Sequence, residues 1–301
     1  MRDSDLSAAR KIVQAAFGTF FGAPNPESFM ADRDHITTRW RGGLGGAFAA
    51  ENGEGLVGSN FLTNWGSFGF FGPLTVRPDL WDQKIAQRLL EPTMDLFDSW
   101  GVKSAGLFTF AHSAKHVGLY QKFGFWPQFL TALMSKAPQP GARVEPAKFS
   151  SLDQNARDEA IRACRELTGD IFEGLDLTRE ILSVERQKLG DTLLVWGGDR
   201  LEAFAVCHCG EGTEAGRESC YLKFAAARGP KEFERLLDAC DAFALELGMK
   251  RIEAGMNLAR REAYNALRQR GYRTNMQGVA MLKPDSPAFN RAGVYVIDDW
   301  R

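Results

Sequence analysis

Cysteine is scarce, with five residues in 301. So sparse and odd a count excludes a disulfide framework and fits a reducing compartment, so a cytoplasmic location is expected. No charge of one sign dominates: 37 Lys and Arg stand against 38 Asp and Glu, a net charge of −1. Neither nucleic acid nor a membrane surface is therefore an expected partner. No apolar run reaches the ~18–20 residues of a membrane span. The opening, Met1-Arg2-Asp3-Ser4-Asp5, runs straight into helix-starting sequence rather than the apolar stretch of a leader peptide. A Gly-x-Ser-x-Gly elbow is absent, which leaves that hydrolase class unsupported. Gly42-Gly43-Leu44-Gly45-Gly46 has the wrong spacing for a dinucleotide fingerprint and reads as a helix stop and turn. What remains is an ordinary globular composition, 44% hydrophobic and 25% charged, in a length that suits two domains.

The chain repeats itself. Gly101-Val102-Lys103 and Gly248-Met249-Lys250 both follow long amphipathic helices. Gly124-Phe125 and Gly271-Tyr272 keep the same offset as that first pair, and so do Leu89-Leu90 and Leu236-Leu237. Shared spacing of this kind marks two diverged copies of one α/β unit. The Pro-containing stretch 136–141 between them reads as a linker.

Periodicity gives each copy its elements. In the first, Leu6, Ala9, Ile12, Val13 and Ala16 form one helical face, and a second helix should follow Pro26 and end near Gly42. Strands are expected at 46–50, 55–63 and 68–76, a helix at 84–100, a strand at 104–110, a helix at 113–123 and a strand at 128–135. The second copy should open with a strand at 143–148, followed by helices near 152–167 and 177–189. Strands at 192–196, 200–209 and 219–226 come next, then helix 230–247, strand 251–256, helix 259–270 and strand 276–282. The first copy has no room for an opening strand. The apolar tail Val294-Tyr295-Val296-Ile297 is expected to complete its sheet edge.

The order β-α-α-β-β-β-α-β-α-β resembles the GCN5-related N-acetyltransferase (GNAT) superfamily. Val76-Arg77-Pro78, followed by Trp81-Asp82-Gln83-Lys84-Ile85-Ala86-Gln87 and the apolar Leu89-Leu90, is similar to the family's Val-x-Pro, its Arg/Gln-x-x-Gly-x-Gly/Ala loop and the helix after it. Ser113, with Tyr120-Gln121-Lys122-Phe123-Gly124-Phe125, is similar to the family's Asn…Tyr-x-Lys-x-Gly-Phe. These motifs cover most of residues 4–135, and a weaker echo covers 143–282. The resemblance implies an α/β (α+β) chain of two tandem GNAT-like domains, 1–137 and 143–301. Each would have a mixed, mostly antiparallel sheet flanked by helices, with the second copy degenerate. It further implies that Leu74, Thr75 and Val76 contact the pantetheine of acetyl-CoA, that Trp81, Asp82, Gln83, Lys84, Ile85, Ala86 and Gln87 surround the diphosphate, and that Ser113 reaches the pantetheine. In the loop two residues depart from the family pattern: Trp81 replaces Arg or Gln, and Lys84 replaces glycine; Ser113 stands in place of the family's Asn. In the second copy the matching loop is Ala227-Arg228-Gly229-Pro230-Lys231-Glu232-Phe233, without the motif, and Leu267 stands at the position of Tyr120.

The implied chemistry is direct acetyl transfer from acetyl-CoA to an amine of a small molecule or peptide, with no metal; an oligomer is compatible with it. Tyr120 matches the general acid; the alternative is a helix Tyr packing its ring in the core beside Phe123 and Phe125. Backbone N–H groups at 74–76 would clamp the thioester carbonyl. Ser113 also reads as a helix N-cap. No base is evident; His112 and His116 are candidates, and Glu51 reads as a hairpin-tip carboxylate. The aromatic, glycine-rich stretch 61–72, with Asn64, is a candidate acceptor pocket or a sheet core. Cys207-His208-Cys209 lacks the second ligand pair of a zinc site and reads as buried strand thiols. Asp298-Asp299-Trp300-Arg301 reads as a solvated end or an amine-recognising interface. The rival reading is a non-catalytic acyl-CoA sensor or structural pseudo-enzyme.

Overall fold

A computed structural model describes residues 1–140 and 146–301. Part of the expected linker and the start of the expected strand at 143–148 lie outside the described residues. Twelve strands and eight α-helices are present among those described.

In the first half, α1 (Leu6–Phe20) and α2 (His35–Gly42) precede β1 (Gly45–Asn52), β2 (Gly55–Trp65) and β3 (Phe68–Val76). Then come α3 (Ile85–Trp100), β4 (Ser104–Thr109), α4 (Ala114–Gln121) and β5 (Trp126–Lys136). The second half runs β6 (Ala147–Lys148), α5 (Gln154–Ile171), α6 (Thr178–Gln187), β7 (Gly190–Gly197), β8 (Arg200–Gly210) and β9 (Gly216–Ala227). It ends with α7 (Pro230–Glu246), β10 (Arg251–Asn257), α8 (Arg261–Gln269), β11 (Arg273–Lys283) and β12 (Tyr295–Ile297). Local chemistry sets the boundaries. The Asp34 carboxylate accepts from the N–H groups of Ile36 and Thr37 at 3.1 and 2.7 Å and so starts α2, later than the sequence reading placed it. Gly43, at φ 61°, ends it.

All strands join one sheet in the order β1-β2-β3-β4-β11-β5-β10-β9-β8-β7-β6, with β12 beside β9. The final strands change places. Strand β11 pairs antiparallel with β4 of the first half, while β5 pairs antiparallel with β10 of the second. The two exchanged strands lie side by side at the centre of the sheet, although each closes a different copy of the repeat. Among the described residues, only β3–β4 and β9–β10 pair in parallel. The sheet is therefore mixed and mostly antiparallel, with helices flanking it. The core crosses the repeat as the strands do: Trp65, Phe68 and Phe70 pack with Phe224 and Phe289, and Val279 and Met281 with Leu107 and Phe125. The stretch 61–72 is thus chiefly sheet core.

The tail behaves differently from the expectation. It forms a strand, but against Ala225–Ala227 of β9 rather than at the β1 edge. The outer edge of β1, eight residues long and partly exposed, has no strand paired to it among the described residues.

Candidate active site

Strand β3 runs parallel to β4 only from Phe68 to Phe70 and then leaves it. Its other edge stays bonded to β2, through Leu74↔Asn60, Thr75↔Ser59 and Val76↔Gly58. The N–H of Arg77 donates to Val57 O at 2.8 Å, toward β2. Backbone groups alternate sides along a strand, so the N–H groups of Leu74 and Val76 face the gap beside β4. Pro73 has no N–H, which makes Leu74 the first donor available after the divergence.

The gap widens into a cleft of about 550 Å³ that ends at the start of α3. No side chain caps α3, and its first turn holds no acid. Its first N–H groups and the positive end of its dipole are therefore free to meet an anion. Lys84 is its N-cap residue and adopts the left-handed conformation, φ 61° and ψ 14°. Glycine takes that conformation without the Cβ penalty. The backbone shape of a glycine loop is thus preserved, with an ammonium added. Asp82 is also left-handed, at φ 69°, and pairs with Lys115 at 2.5 Å. Trp81 donates from its indole Nε1 to Val76 O at 2.9 Å, and this closes the loop onto the strand. Of the twelve residues expected at the site, the cleft is lined by all but Gln83. Ser113 lines it and also caps α4, accepting from His116 N at 3.4 Å.

A second cavity, about 190 Å³, lies beyond β3. Leu74, Phe110, His116 and Tyr120 line both spaces, so the two meet there. Its walls are largely aromatic, with Phe17, Phe71 and Trp300 among them, and Arg10, Arg33 and Arg301 are its cationic members. Tyr120 is buried, its ring 5.6 Å from that of Phe71, and burial raises its pKa, so the phenol keeps its proton. His116 is shifted below 6.5 by burial, reinforced by Lys115 and His112, and is neutral at pH 7. His35 is held well below 6.5 by burial and by Arg39, Arg33 and Arg301, against the pull of Glu214. By contrast, His112 is exposed and lines neither space. Asn64 accepts from Gly66 N at 2.7 Å in a turn and is absent from the cavity wall. Glu51 pairs with Arg2 at a hairpin tip.

Beneath the second cavity sits a buried ionic network. Arg39 meets Glu214 at 2.8 Å, and Lys223 meets Glu214 at 2.5 Å and Glu180 at 3.0 Å. Burial pushes Glu214 up, but the two cations outweigh it and hold its pKa well below 4.5. Arg39 also donates to the carbonyls of Gly72 and Arg301. It therefore ties the point where β3 diverges to the tail and to the second half. The sequence reading missed Arg39 and His35; the tail 298–301, which it left as a solvated end or an amine-recognising interface, is buried from Asp298 to Trp300, with Trp300 and Arg301 lining the second cavity. Asp34-His35 did carry a signal, an N-cap residue with an imidazole at the next position. Arg39 carried none, because its partner Glu214 is remote in the chain, and the contact of Trp300 with Phe68 was hidden for the same reason.

In the second half Cys207, Cys220 and Cys240 are buried free thiols, and among the described residues no three His, Cys, Asp or Glu side chains are placed to hold a metal. No described helix is long and apolar enough to cross a membrane.

Residues 10–125 match the acetyltransferase (GNAT) family. None of the curated proteins searched matches the chain. Among solved structures, a Pyrococcus horikoshii protein provisionally named an acetyltransferase is 16% identical, with a TM-score of 0.69 over 99% of this chain and 92% of its own. A GCN5-related N-acetyltransferase from Sphaerobacter thermophilus is 13% identical, with a TM-score of 0.58 over 94% and 93%. A GCN5-related glucosamine N-acetyltransferase region of a fungal multi-domain β-N-acetylglucosaminidase is 12% identical, with a TM-score of 0.63 over 94% of this chain and 37% of that one. At such identities the likeness is one of fold.

Proposed function

We propose, from the match of residues 10–125 to the acetyltransferase (GNAT) family, that the first half of this chain transfers an acetyl group directly from acetyl-CoA to an amine. The observation that carries this reading is the junction of the two cavities at Leu74, His116 and Tyr120. A strand-like pantetheine arm fits the open edge of β3, and the uncapped start of α3 with Lys84 suits the diphosphate. The aromatic cavity suits an amine on an apolar body, belonging to a small molecule or a peptide.

The residues divide the work as follows. His116, neutral at pH 7, takes the proton that the amine must lose. The nitrogen of the neutral amine bonds to the thioester carbon as that proton leaves it. The N–H of Leu74 holds the carbonyl oxygen as it gains charge. The carbon–sulfur bond breaks, and Tyr120 gives its proton to the departing thiolate. Burial raises the phenol pKa, but a thiolate in the same dry place is equally deprived of water, so the transfer is not left to the phenol's solution acidity.

Two measurements test this. Saturating CoA should raise the melting temperature, since ligand at 100 times its Kd adds about 2.7 kcal/mol. Acetyl-CoA with a panel of aryl and alkyl amines should release free thiol. No thermal shift overturns the binding site. A shift without thiol release on any amine favours the sensor reading.

A further inference from the structure

The second half contains the same divergence of strands as the first. Strand β9 runs parallel to β10 from Ser219 to Leu222, as β3 does with β4 from Phe68 to Phe70. The pairs Phe68↔Ser104 and Ser219↔Arg251 open these parallel stretches, so Phe68 and Ser219 are equivalent positions. A register shift interrupts β3 between its pairs at Phe71 and Leu74, and β9 between Leu222 and Phe224. Arg77 N donates to Val57 O, and Arg228 N donates to Glu202 O at 2.9 Å. The step from Arg77 to Arg228 equals the step from Phe68 to Ser219, so the two strands stay in register to their ends. Leu74, Thr75 and Val76 therefore correspond to Ala225, Ala226 and Ala227.

Those three alanines are paired with the tail. Strand β12 runs antiparallel along them, Ile297↔Ala225, Val296↔Ala226 and Tyr295↔Ala227. The tail then crosses the gap, and Asp298 N donates to Gly255 O of β10 at 3.1 Å. Its seat is built for it. Arg260, fully buried, donates to Val296 O at 2.9 Å and pairs with Asp298 at 2.9 Å. Tyr221 donates its hydroxyl proton to Asp299 at 2.8 Å. A Cβ on Gly255 would lie 2.1 Å from that of Asp299, so only glycine leaves the room.

The helix that follows is altered in the same sense. The loop from strand to helix is long in the first half (77–84) and only a dipeptide in the second (228–229). Glu232 stands in the first turn of α7, its Oε2 2.7 Å from where a Cβ on Gly229 would be. A carboxylate thus occupies the helix start that α3 leaves empty.

We propose that residues 295–298 are a built-in peptide surrogate for a pantetheine arm, with Glu232 at the diphosphate position, so that the chain has a single acyl-CoA site. The tail serves the working half instead. Continuing past Asp298, it brings Trp300 to Gly106 of β4, where an added Cβ would lie 3.1 Å from the indole, and so forms one wall of the first half's second cavity.

The inference rests on the acyl-CoA reading of the first half only for its ligand, and the experiment separates the two. Hydrogen exchange of the full-length protein, with and without CoA, is combined with calorimetric stoichiometry. The amides of Ala225, Ala227, Tyr295 and Ile297 should exchange about 100-fold or more slowly than free peptide in both states. CoA should bind once per chain and slow the amides of 74–76. Two CoA per chain, or CoA-induced loss of protection at 295–297, overturns the surrogate. If CoA does not bind at all, the acyl-CoA reading of the first half fails. In that case slow exchange at 295–297 still supports the filled slot, and fast exchange rejects it.

Discussion

Tyr120 and His116 lie four positions apart on α4, so they share one face and reach the same junction. Removing the Tyr120 hydroxyl tests its role with little change in packing, because the ring contacts of Phe71 and Phe125 need only a ring. Tyr120→Phe is expected to lower kcat about 10²–10⁴-fold with the CoA Kd unchanged. Unchanged turnover would reject the acid role. His116 has its pKa depressed, chiefly by burial, so its basic, neutral form exists above a pKa that lies below 6.5. Activity should therefore rise with pH through a limb below 6.5 in kcat/KM. His116→Gln should abolish that limb. If the limb survives there and disappears in His35→Gln, the base is His35 instead. Both imidazoles owe their state to their surroundings rather than to a motif, so the sequence offered His116 only as a candidate and His35 not at all.

Helix α3 carries a local conflict. Its N-cap needs a left-handed residue, and lysine pays the Cβ penalty of about 1 kcal/mol or slightly more. Lys84→Gly should raise stability by up to about 1 kcal/mol, read from urea or thermal unfolding, less the entropy glycine loses on folding. The same variant removes the ammonium from the diphosphate site. If its CoA affinity falls while stability rises, the lysine is retained for binding and not for folding. Strand β3 shows a different division. Its start at Phe68 and end at Val76 were legible from alternation, and so was its role in the family pattern. Its departure from β4 after Phe70 was not, because alternation describes one strand and divergence belongs to two.

Exchange of the last strands makes the halves interdependent. Without β11, residues 1–137 would leave the β4 edge unpaired and lose Val279 and Met281 from the packing around Phe125. That fragment alone is expected to lack a cooperative unfolding transition. Coexpression with residues 146–301 should restore one, and independent cooperative folding of the fragment would contradict the interdependence. The molecule should also weaken in acid. His208 is buried in β8, and burial lowers its pKa to about 3. Between that value and about 6.5 the unfolded chain binds a proton that the folded one does not, so stability falls as pH drops through this window. His208→Leu should flatten the dependence of melting temperature on pH from 6.5 to 4; an unchanged slope assigns the loss elsewhere.

Periodicity and spacing alone determined that the chain is a repeated α/β unit, where most of its strands and helices lie, and which loop enters α3. These are local matters, set by side-chain alternation, helix faces and turn residues within a few positions. Where the motif residues stand is equally local, and of the expected site residues all but Gln83 came together in one cleft. Only the tertiary structure decided that β5 and β11 change places, that the tail fills the second slot, and that Arg39 joins Gly72 to Glu214 and Arg301. Each of these joins residues far apart in the chain, often across the repeat. Which of two similar sheets a strand completes depends on packing and shared backbone hydrogen bonds that neither segment contains by itself.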